Sequence, residues 1–426
     1  MIRRDFVKNG AAFCAAASLP AILKAKNVND KIGIALIGAR RMGWDDLRWA
    51  FAAGGVECAA ICDVDKPMAQ KRADEAAKIQ GKRPFVCDDY RKALERKDVD
   101  AVIIGTPDHW HCLQACDSLA AGKDVYLEKP IANSIAECDA IVSFAKKYGR
   151  VVSVGQQQNS SPMWRTVIDT VKSGKIGRVG KVDVWANYRY GAGKILKPDT
   201  PVPNWLNYEM WLGPASYRDF NIGRIFGLWR LYWNYGGGLM TDWGVHLIDM
   251  AMQGLNKTAL PQSVCGLGGK FAHPETDSET FDTLNVVYDF GDVSMSWSNS
   301  AVQIGGFNKP YGVAFYGADA VLTANRDGWE IIPNGKKLKG EKVVCKESER
   351  VPHMRDFLDC VRARRNTTKC SIENGSLCAK MAHLGNISAR LKKTLSYDDA
   401  KKTFNDAVAD KLLKPDYRKQ WKFPEA

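Results

Sequence analysis

The chain has 426 residues, of which 45% are hydrophobic and 26% charged, and it contains no low-complexity tract or internal repeat. This composition excludes a disordered or fibrous protein, and the length exceeds one ordinary domain, so two domains are expected. The formal net charge is +13, but Lys and Arg are scattered and accompany no nucleic-acid-binding motif. We therefore expect a mild attraction for acidic or phosphorylated ligands and no binding to nucleic acid.

The first 26 residues have the pattern of an export signal. Arg3 and Arg4 precede Asp-Phe-Val-Lys, and a small, apolar run extends from Gly10 to Leu23. This run is too short to span a bilayer comfortably, and small residues near Ala25 suit cleavage. We predict a twin-arginine-type signal over residues 1–26, which exports folded proteins and places the mature chain in the periplasm. A disordered basic tail is the alternative, and no later stretch is apolar enough to predict a membrane span.

The cysteines show no metal-binding pattern. Eleven of the twelve lie after the predicted signal, without the Cys-x-x-Cys or Cys/His spacing of a zinc site. An odd number leaves at least one free thiol, and most of these cysteines lie in apolar runs where a small buried hydrophobe is the usual role. The sequence predicts no metal site.

A strand, a glycine turn and a helix at the start of the mature chain indicate a nucleotide site. The apolar run Lys31–Ile37 is followed by the glycine turn and then by a helical pattern. The first glycine allows a tight turn and the last a close helix–strand contact, while the helix N-terminus faces a pyrophosphate. The candidate cofactor-binding residues of this turn are Gly38, Arg40, Arg41, Met42 and Gly43.

A carboxylate at the end of the second strand bears on the choice of cofactor. Asp63 lies 25 residues after Gly38, where it can hydrogen-bond an adenosine ribose, which favours NAD over NADP. Arg40 stands where the middle glycine of the fingerprint is normally found. Because Arg40 or Arg41 could reach a 2′-phosphate, NADP remains possible.

The alternation of strands and helices continues through residue 155. This rhythm predicts a doubly wound parallel sheet and a Rossmann domain over residues 31–155. Ligands of such sheets bind beyond the carboxyl ends of the strands. The further candidate cofactor-binding residues, all at or just after strand ends, are Thr106, Pro107, His109, His111, Glu128, Lys129 and Gln157.

Lys129 is also a candidate catalytic residue. Pro130 restricts the backbone of the residue before it, so the lysine is held at the end of a strand. In a partly buried position its ammonium can transfer a proton or polarise a hydroxyl or carbonyl oxygen. A solvated lysine at a turn is the alternative, and the location on the ligand-binding edge favours the functional interpretation.

A glycine-rich loop opens the second group of candidate catalytic residues. After Gly236-Gly-Gly, the side chains of Asp242, His246 and Asp249 are spaced at i, i+4 and i+7, which places them on one face of a helix. An imidazole between two carboxylates can have its tautomer fixed and its proton affinity adjusted. An amphipathic helix with merely satisfied polar groups is the alternative.

These motifs together resemble the Gfo/Idh/MocA oxidoreductases. The resemblance spans essentially the whole mature chain and implies an N-terminal Rossmann domain and a C-terminal α/β domain with a large, mostly antiparallel open sheet. It implies a nicotinamide cofactor, a sugar or polyol substrate, and a dimer or tetramer. It further implies that Lys129, Asp242 and His246 are catalytic and that Thr106, Pro107, His111 and Glu128 line the nicotinamide. The motifs that carry the resemblance are Gly38-x-x-x-x-Gly43, Thr106-Pro107 with His111, Glu128-Lys129-Pro130, Gly177-Arg-Val, and Gly236-Gly-Gly with Asp242-x-Gly-x-His246-x-x-Asp249.

The second half, residues 156–426, suits a substrate-binding and oligomerisation domain. Several extended runs after residue 280 alternate with turn residues, as antiparallel strands do, and two helices follow, at 353–364 and 372–391. Residues 188–235 are dense in aromatic and arginine side chains, which can stack on sugars or simply pack in a loop or interface. They are Tyr188, Arg189, Tyr190, Trp205, Tyr208, Trp211, Tyr217, Arg218, Arg224, Trp229, Arg230, Tyr232 and Trp233. We expect His273, His353 and His383 to be structural.

The hypothesis that follows is hydride transfer between a nicotinamide and a carbon bearing a sugar hydroxyl. His246 would take the hydroxyl proton, Asp242 would orient it, and Lys129 would stabilise the alkoxide. Free NAD is scarce outside the cytoplasm, so an exported enzyme would keep its cofactor and regenerate it in each turnover. A redox-assisted glycosidase with no net redox change is the first alternative. A sugar- or nucleotide-binding protein without catalysis is the second.

Overall fold

The computed structural model describes residues 31–301 and 303–425 of the chain. The predicted export signal therefore lies outside the described residues. The first half alternates strands and helices: β1 Ile32–Ile37, α1 Arg41–Ala53, β2 Val56–Cys62, α2 Lys66–Gln80, β3 Phe85–Cys87, α3 Tyr90–Leu94, β4 Ala101–Ile104, α4 Asp108–Ala120, β5 Asp124–Leu127, α5 Ile135–Tyr148 and β6 Val152–Val154.

The first six strands form one parallel sheet in the order β3-β2-β1-β4-β5-β6. Every residue of β1, β4 and β5 is buried, as expected for strands covered by helices on both faces. Local signals fix the helices between them. Asp65, for example, caps α2 by accepting a hydrogen bond from the Met68 amide, and Gly81 ends that helix with a φ of 76°. The predicted Rossmann sheet is confirmed.

The second half builds a larger sheet. Its elements are α6 Pro162–Lys172, β7 Val179–Ala186, α7 Tyr208–Leu212, α8 Val245–Gly254, β8 Ser263–Gly269, β9 Thr283–Asp289, β10 Ser294–Asn299, β11 Tyr311–Gly317, β12 Ala320–Asn325, β13 Gly328–Pro333, β14 Glu341–Val344, α9 Arg350–Ala363, α10 Ile372–Leu391, β15 Thr394–Leu395, β16 Tyr397–Asp398, β17 Thr403–Phe404 and α11 Ala407–Asp410. Nine strands pair in the order β14-β13-β12-β11-β7-β10-β9-β8-β15, and β16 pairs with β17 separately. Only the β7–β10 pair of the nine-stranded sheet is parallel, so the predicted, mostly antiparallel sheet is confirmed.

Helices from the end of the chain pack on the first sheet. Met354, Phe357 and Leu358 of α9 are fully buried in the same apolar cluster as Ile34 of β1 and Leu47 of α1. Helix α10 likewise contacts α5. Residues from 31 onward form one compact unit that holds both sheets, and the domain boundary at residue 155 stays a prediction.

Two further expectations concern the described residues. Eleven free cysteines are present in them; Cys265 is exposed, Cys345 is partly buried, and the other nine are buried. This agrees with the interpretation of most cysteines as small core residues. No helix in the described ranges has the length and apolar character needed to cross a membrane.

Candidate active site

Three glycines bring the backbone of the first turn together. Gly38 follows β1 with a φ of +86°, a conformation that favours glycine. A Cβ on Gly43 would lie 2.1 Å from the Gly38 carbonyl oxygen, and one on Gly105 would lie 2.6 Å from the Gly43 Cα. The close helix–strand contact predicted for Gly43 is therefore present, and Gly105 is a further member that the sequence analysis did not single out.

The N-terminus of α1 opens into a cavity at the carboxyl end of this sheet. Within the described part of the chain no side chain caps this helix, and its first residues, Arg41 and Met42, line the cavity, so its first backbone N–H groups are available to a pyrophosphate. The cavity walls contain seven of the predicted cofactor-binding residues: Gly38, Arg40, Arg41, Met42, Asp63, Thr106 and Pro107. Two features of the cavity fit a dinucleotide. The backbone at the three glycines leaves no room for a Cβ, and the N-terminus of α1 has no side-chain cap.

Asp63 lies in this cavity and also supports the turn. Its carboxylate accepts hydrogen bonds from the amides of Ala39 (2.7 Å) and Asp65 (2.9 Å). Burial raises the pKa of Asp63, and these two hydrogen bonds act against the increase. A carboxylate has about four lone-pair sites, so two amide donors leave capacity for a ribose hydroxyl.

Arg40 has a different setting from the one expected. Its guanidinium forms an ion pair with Asp65 and lies 3.8 Å from the centroid of the Phe226 ring. Phe226 in turn stacks on Trp205 at 6.0 Å. The side chain that replaces the middle glycine thus connects the phosphate turn to the second half of the chain.

A segment of the second half closes one side of the cavity. The Asn207 amide donates to the Val64 carbonyl oxygen (2.9 Å), and the Lys66 amide donates to the Trp205 carbonyl oxygen (3.2 Å). These bonds hold the segment against the residues that follow β2. The cavity residues contributed by this half of the chain are Met210, Trp211, Ile225, Phe226, Gly227, Trp229 and Arg230.

Two predicted histidines lie behind the cavity rather than in it. His109 is buried, with Nε2 at 3.0 Å from the Trp211 carbonyl oxygen. His111 contacts the carbonyl oxygens of Pro130 (2.7 Å) and Thr106 (2.9 Å) through its two ring nitrogens. Burial lowers the pKa of each histidine to about 4. His111 acts on the cavity indirectly, because the single N–H of the neutral imidazole donates to the carbonyl oxygen of either Pro130 or Thr106.

Gln157 also lies outside the cavity walls. It is buried and begins a short 3-10 turn, Gln157–Ser160, after β6. Neither this glutamine nor His109 and His111 is placed by the structure where it lines the predicted cofactor site.

The predicted catalytic lysine meets its predicted partner. Lys129, joined to Pro130 by a cis peptide bond, donates from Nζ to Asp242 Oδ1 at 2.6 Å and to the Asp242 carbonyl oxygen at 3.0 Å. Arg230 Nε donates to the same Oδ1 at 3.2 Å, and the Tyr190 hydroxyl donates to Oδ2. Four side chains therefore form one cluster around the buried Asp242, and Arg230, which remains partly exposed, joins it to the cavity.

The cluster keeps Asp242 ionised. Burial raises the pKa of Asp242, but Lys129 and Arg230 outweigh it, and the hydrogen bonds from Lys129 and Tyr190 add to their effect. The net result is a pKa well below the usual range for an aspartate. The arrangement provides a fixed negative charge that positions the Lys129 ammonium.

His246 lies beside this cluster but is not bonded to it. Its Nδ1 is buried without a hydrogen-bond partner, and among the described residues no hydrogen bond joins it to Asp242. Burial, followed by the charges of Lys129 and Arg326, lowers its pKa well below the usual value, so the imidazole is neutral at pH 7. The expected orientation of His246 by a bond from Asp242 is wrong for this structure.

Asp249 is also separate from the cluster. Its carboxylate accepts hydrogen bonds from the side-chain amides of Gln156 (2.7 Å), Asn159 (2.6 Å), Gln253 (2.7 Å) and Asn374 (2.9 Å). The expected imidazole between two carboxylates does not form. Asp242 lies in a π-helical turn, Met240–Gly244, that precedes α8, whereas His246 and Asp249 both lie in α8 itself.

A second carboxylate next to the cluster behaves differently. Glu128 is buried, and its Oε2 accepts a long hydrogen bond, 3.3 Å, from the Lys129 amide. Burial raises the pKa of Glu128 to about 7; Asp242 adds to this, and Lys129 opposes it. Two neighbouring carboxyl groups therefore differ in charge, with Asp242 ionised and Glu128 close to half protonated at neutral pH.

Tyr190 and Arg230 are site residues that the sequence reasoning did not assign to catalysis. Both belong to the aromatic and arginine-rich stretch at 188–235. That stretch was a signal for a site, but nothing in its spacing shows which members reach Asp242. Two of the histidines that we expected to be structural have such a role. His353 bonds to Ser160 and Val154, and His383 Nε2 contacts the Ala132 carbonyl oxygen.

Curated relatives include proteins of glycoside chemistry. A "Glycosyl hydrolase family 109 protein 1" of Shewanella sp. (strain ANA-3) is 24% identical, with 66% of this chain and 66% of the relative aligned. The "Alpha-N-acetylgalactosaminidase" of Shewanella oneidensis is 28% identical over 48% of this chain and 40% of the relative. The chain thus spans at most about two thirds of the length of these relatives.

Solved structures share the fold. A levoglucosan dehydrogenase in complex with NADH and levoglucosan has a TM-score of 0.65 and 18% identity, covering 86% of this chain and 99% of that one. The WlbA dehydrogenase of Bordetella pertussis, in complex with NADH and UDP-GlcNAcA, has a TM-score of 0.63 and 17% identity over 86% and 99% of the two chains.

Family models cover most of the chain. The model of the oxidoreductase family with an NAD-binding Rossmann fold matches residues 32–156. The model of that family's C-terminal alpha/beta domain matches residues 165–296 and 327–423. The glycine cradle, the Glu128-Lys129-Pro130 strand end and the Asp242 cluster lie within these matches. The chain belongs to the Gfo/Idh/MocA oxidoreductase family and carries its NAD-binding Rossmann fold.

Proposed function

We propose that this oxidoreductase acts on a sugar or sugar derivative by hydride transfer and retains its NAD between turnovers. The single observation that carries the proposal is the buried Lys129–Asp242 pair beside a neutral His246, joined through Arg230 to the cofactor cavity. Bound NAD supplies the hydride acceptor. The dehydrogenases with NADH among the structural neighbours, whose titles name levoglucosan or a nucleotide sugar, support a sugar substrate.

The protein side chains would manage the proton and the developing charge. The hydroxyl proton would pass to the imidazole of His246, and bound NAD would supply the acceptor for the hydride from the same carbon. The products would be a ketone, a protonated imidazole and the reduced cofactor, which together account for both hydrogens and the electron pair lost by the substrate. Lys129, held by Asp242, stabilises the alkoxide as it forms.

Retention of the cofactor is supported by the cover over the cavity. The segment that contains Trp205, Met210 and Phe226 is hydrogen-bonded to residues after β2 and contributes part of the cavity wall. The ion pair of Arg40 with Asp65 leaves this arginine engaged within the protein, which favours NAD over NADP. The export signal and the periplasmic location remain part of the proposal, as does a homo-oligomer formed through the open sheet.

A redox-assisted glycosidase is the second candidate function. The family 109 glycosyl hydrolase relatives favour it, and the same Lys129, Asp242 and His246 would oxidise the sugar transiently before cleavage and reduction. A binding protein without catalysis is the third candidate, and the presence of all three predicted catalytic side chains argues against it.

The deciding experiment begins with the full protein purified without added cofactor. Unfolding it and identifying the released nucleotide by absorbance and mass should give NAD(H) in a ratio near one per chain. Holoenzyme should then oxidise sugars with formation of bound NADH, whereas the glycosidase would release p-nitrophenol from p-nitrophenyl glycosides without net NADH. An empty protein that binds NAD weakly would contradict retention, and no turnover of either substrate class would favour the binding protein.

A further inference from the structure

A second arginine near the site has no ion-pair partner among the residues that the structure describes. Arg326 lies in the turn between β12 and β13, and its Nε and Nη2 donate to Gln158 Oε1 at 3.3 and 3.1 Å. Its Cζ lies 5.0 Å from the centroid of the Trp243 ring. Trp243 directly follows Asp242, so this guanidinium lies next to the catalytic cluster.

The charge of Arg326 is not neutralised by an ion pair. Lys129 and Arg230 both pair with Asp242, but no carboxylate of the described residues lies within 4.0 Å of the Arg326 nitrogens. Burial lowers the pKa of Arg326, and Tyr311 and Glu349 oppose this from a distance. A guanidinium has five N–H donors, and a largely buried one without a counter-ion carries an unrecovered desolvation cost.

The surroundings of this cation suit a sugar ring. Tyr188 packs on Trp243 with ring centroids 4.7 Å apart, and Trp243 packs on Tyr311 at 4.8 Å. Trp243 and Tyr188 remain partly accessible. The Arg326 charge also contributes to the lowered pKa of His246. The Trp243 ring lies 6.4 Å from the His246 ring, measured between centroids, so the aromatic side chains and the Arg326 cation lie next to His246. Trp243 and Arg326 are not among the residues that line the cofactor cavity.

We propose that Arg326 binds an oxyanion substituent, a carboxylate or a sulfate ester, on the sugar that is oxidised. The inference rests on the proposed function, because it names the class of substrate for the same site. Arg326 would pair with the anionic group while Trp243 contacts the ring, and the hydroxyl to be oxidised would face His246 and Lys129. The substrate is then an acidic sugar.

Holoenzyme binding of matched sugars tests this proposal by calorimetry. The probes are methyl β-D-glucoside, methyl β-D-glucuronide and methyl β-D-glucoside 6-sulfate, which differ at one carbon. We expect one or both anionic probes to bind about tenfold or more tightly than the neutral one, and the difference to shrink at high salt. The glucuronide and the sulfate ester identify which oxyanion is preferred. Equal or weaker binding of both anionic probes would overturn the proposal.

Variants separate charge recognition from a structural effect. Arg326→Gln should remove the preference for the anionic probe and leave binding of the neutral glucoside unchanged, and Arg326→Lys should retain part of it. Arg350→Gln removes a nearby guanidinium that stacks on Trp49 instead, and it should keep the preference. Equal weakening of both probes by Arg326→Gln would refute the specific role. Absence of bound NAD(H) from the purified parent would contradict retention of the cofactor, and the same titrations would then be run with NAD added to saturation. Failure of the parent to oxidise any sugar would refute the proposed function, whereas equal binding of the neutral and anionic probes would refute only the role of Arg326.

Discussion

The two ends of the site each contain a buried aspartate, and different groups surround the two carboxylates. At the adenosine end, Asp63 is held by backbone amides, and burial still raises its pKa. At the reacting end, Asp242 is just as buried, but Lys129 and Arg230 hold its pKa far below the usual range. The comparison shows that two backbone amides only partly offset the effect of burial on the pKa of a carboxylate, whereas two paired cations outweigh it.

We expect the largest effect at the reacting end, from the loss of the Lys129 side chain. Lys129→Ala removes the group that stabilises the alkoxide, so we expect the rate of hydride transfer to fall by about 10²–10⁴-fold. Bound NAD(H) should remain, because the glycine turn at the other end is untouched. Single-turnover formation of bound NADH measures the effect, with the exposed Lys175→Ala as a control. Unchanged turnover in the Lys129 variant would refute the assigned role.

A substitution in the glycine turn, at the adenosine end of the site, should act by disturbing the packing of the backbone. Gly43→Ala places a Cβ 2.1 Å from the Gly38 carbonyl oxygen, so we expect loss of bound NAD(H) and a free energy of unfolding lower by about 2–4 kcal/mol. Denaturant unfolding and nucleotide release measure both changes. Gly180→Ala is the control, because a Cβ there meets nothing within 4 Å. A stable Gly43 variant that keeps its cofactor would show that the turn tolerates displacement.

Glu128, which lies next to the Asp242 cluster, provides a second test of the charges at the reacting end. The pKa of Glu128 is raised to about 7 from an unfolded value near 4.5, so the native state binds the extra proton between these values. Its stabilising contribution is therefore present at low pH and is lost as the pH rises through 7. Glu128→Gln mimics the protonated form, and we expect it to gain about 1–3 kcal/mol relative to the parent between pH 5 and pH 8.

Denaturant unfolding at the two pH values gives this difference directly. Glu95→Gln, at an exposed position, should show the same change in the free energy of unfolding between the two pH values as the parent protein. If the Glu128 variant also shows the parent's change, then Glu128 is ionised in the native state, and the reacting end holds two negative charges instead of one.

The smallest expected effect concerns the connection between the two halves. Arg40→Ala removes both the ion pair with Asp65 and the contact with Phe226, so bound NAD should dissociate about tenfold faster. Arg40→Lys retains a charge but not the flat stacking surface, and an intermediate rate is expected. Trapping of released NAD over time measures the rate. No acceleration in either variant would show that the covering segment holds the cofactor without Arg40.

Local patterns explain what could be predicted. The strand, glycine turn and helix around Gly38 are encoded within a few residues, and the apolar runs fix the parallel sheet, so both are as expected. The contact of Lys129 with Asp242 followed only from the family resemblance. Tyr190 and Arg230 reach Asp242 from an irregular stretch, where no periodicity fixes the direction of a side chain.

The geometry around His246 shows the limit of spacing arguments. Regular helical spacing places Asp242, His246 and Asp249 on one face, but Asp242 lies in a π-helical turn, Met240–Gly244, whose winding differs from that of α8. Asp249 then satisfies its oxygens with four amides instead. A sequence does not show such a turn, because it depends on how the glycine loop before it packs.

The packing of α9 has a consequence for biosynthesis. The apolar layer that contains Ile34 and Leu47 is completed by Phe357 and Leu358, which are translated more than 300 residues later. A nascent chain that has emerged only through β6 therefore presents an uncovered apolar surface on its nucleotide-binding half. Nearly the whole polypeptide must therefore leave the ribosome before Phe357 and Leu358 can cover this surface.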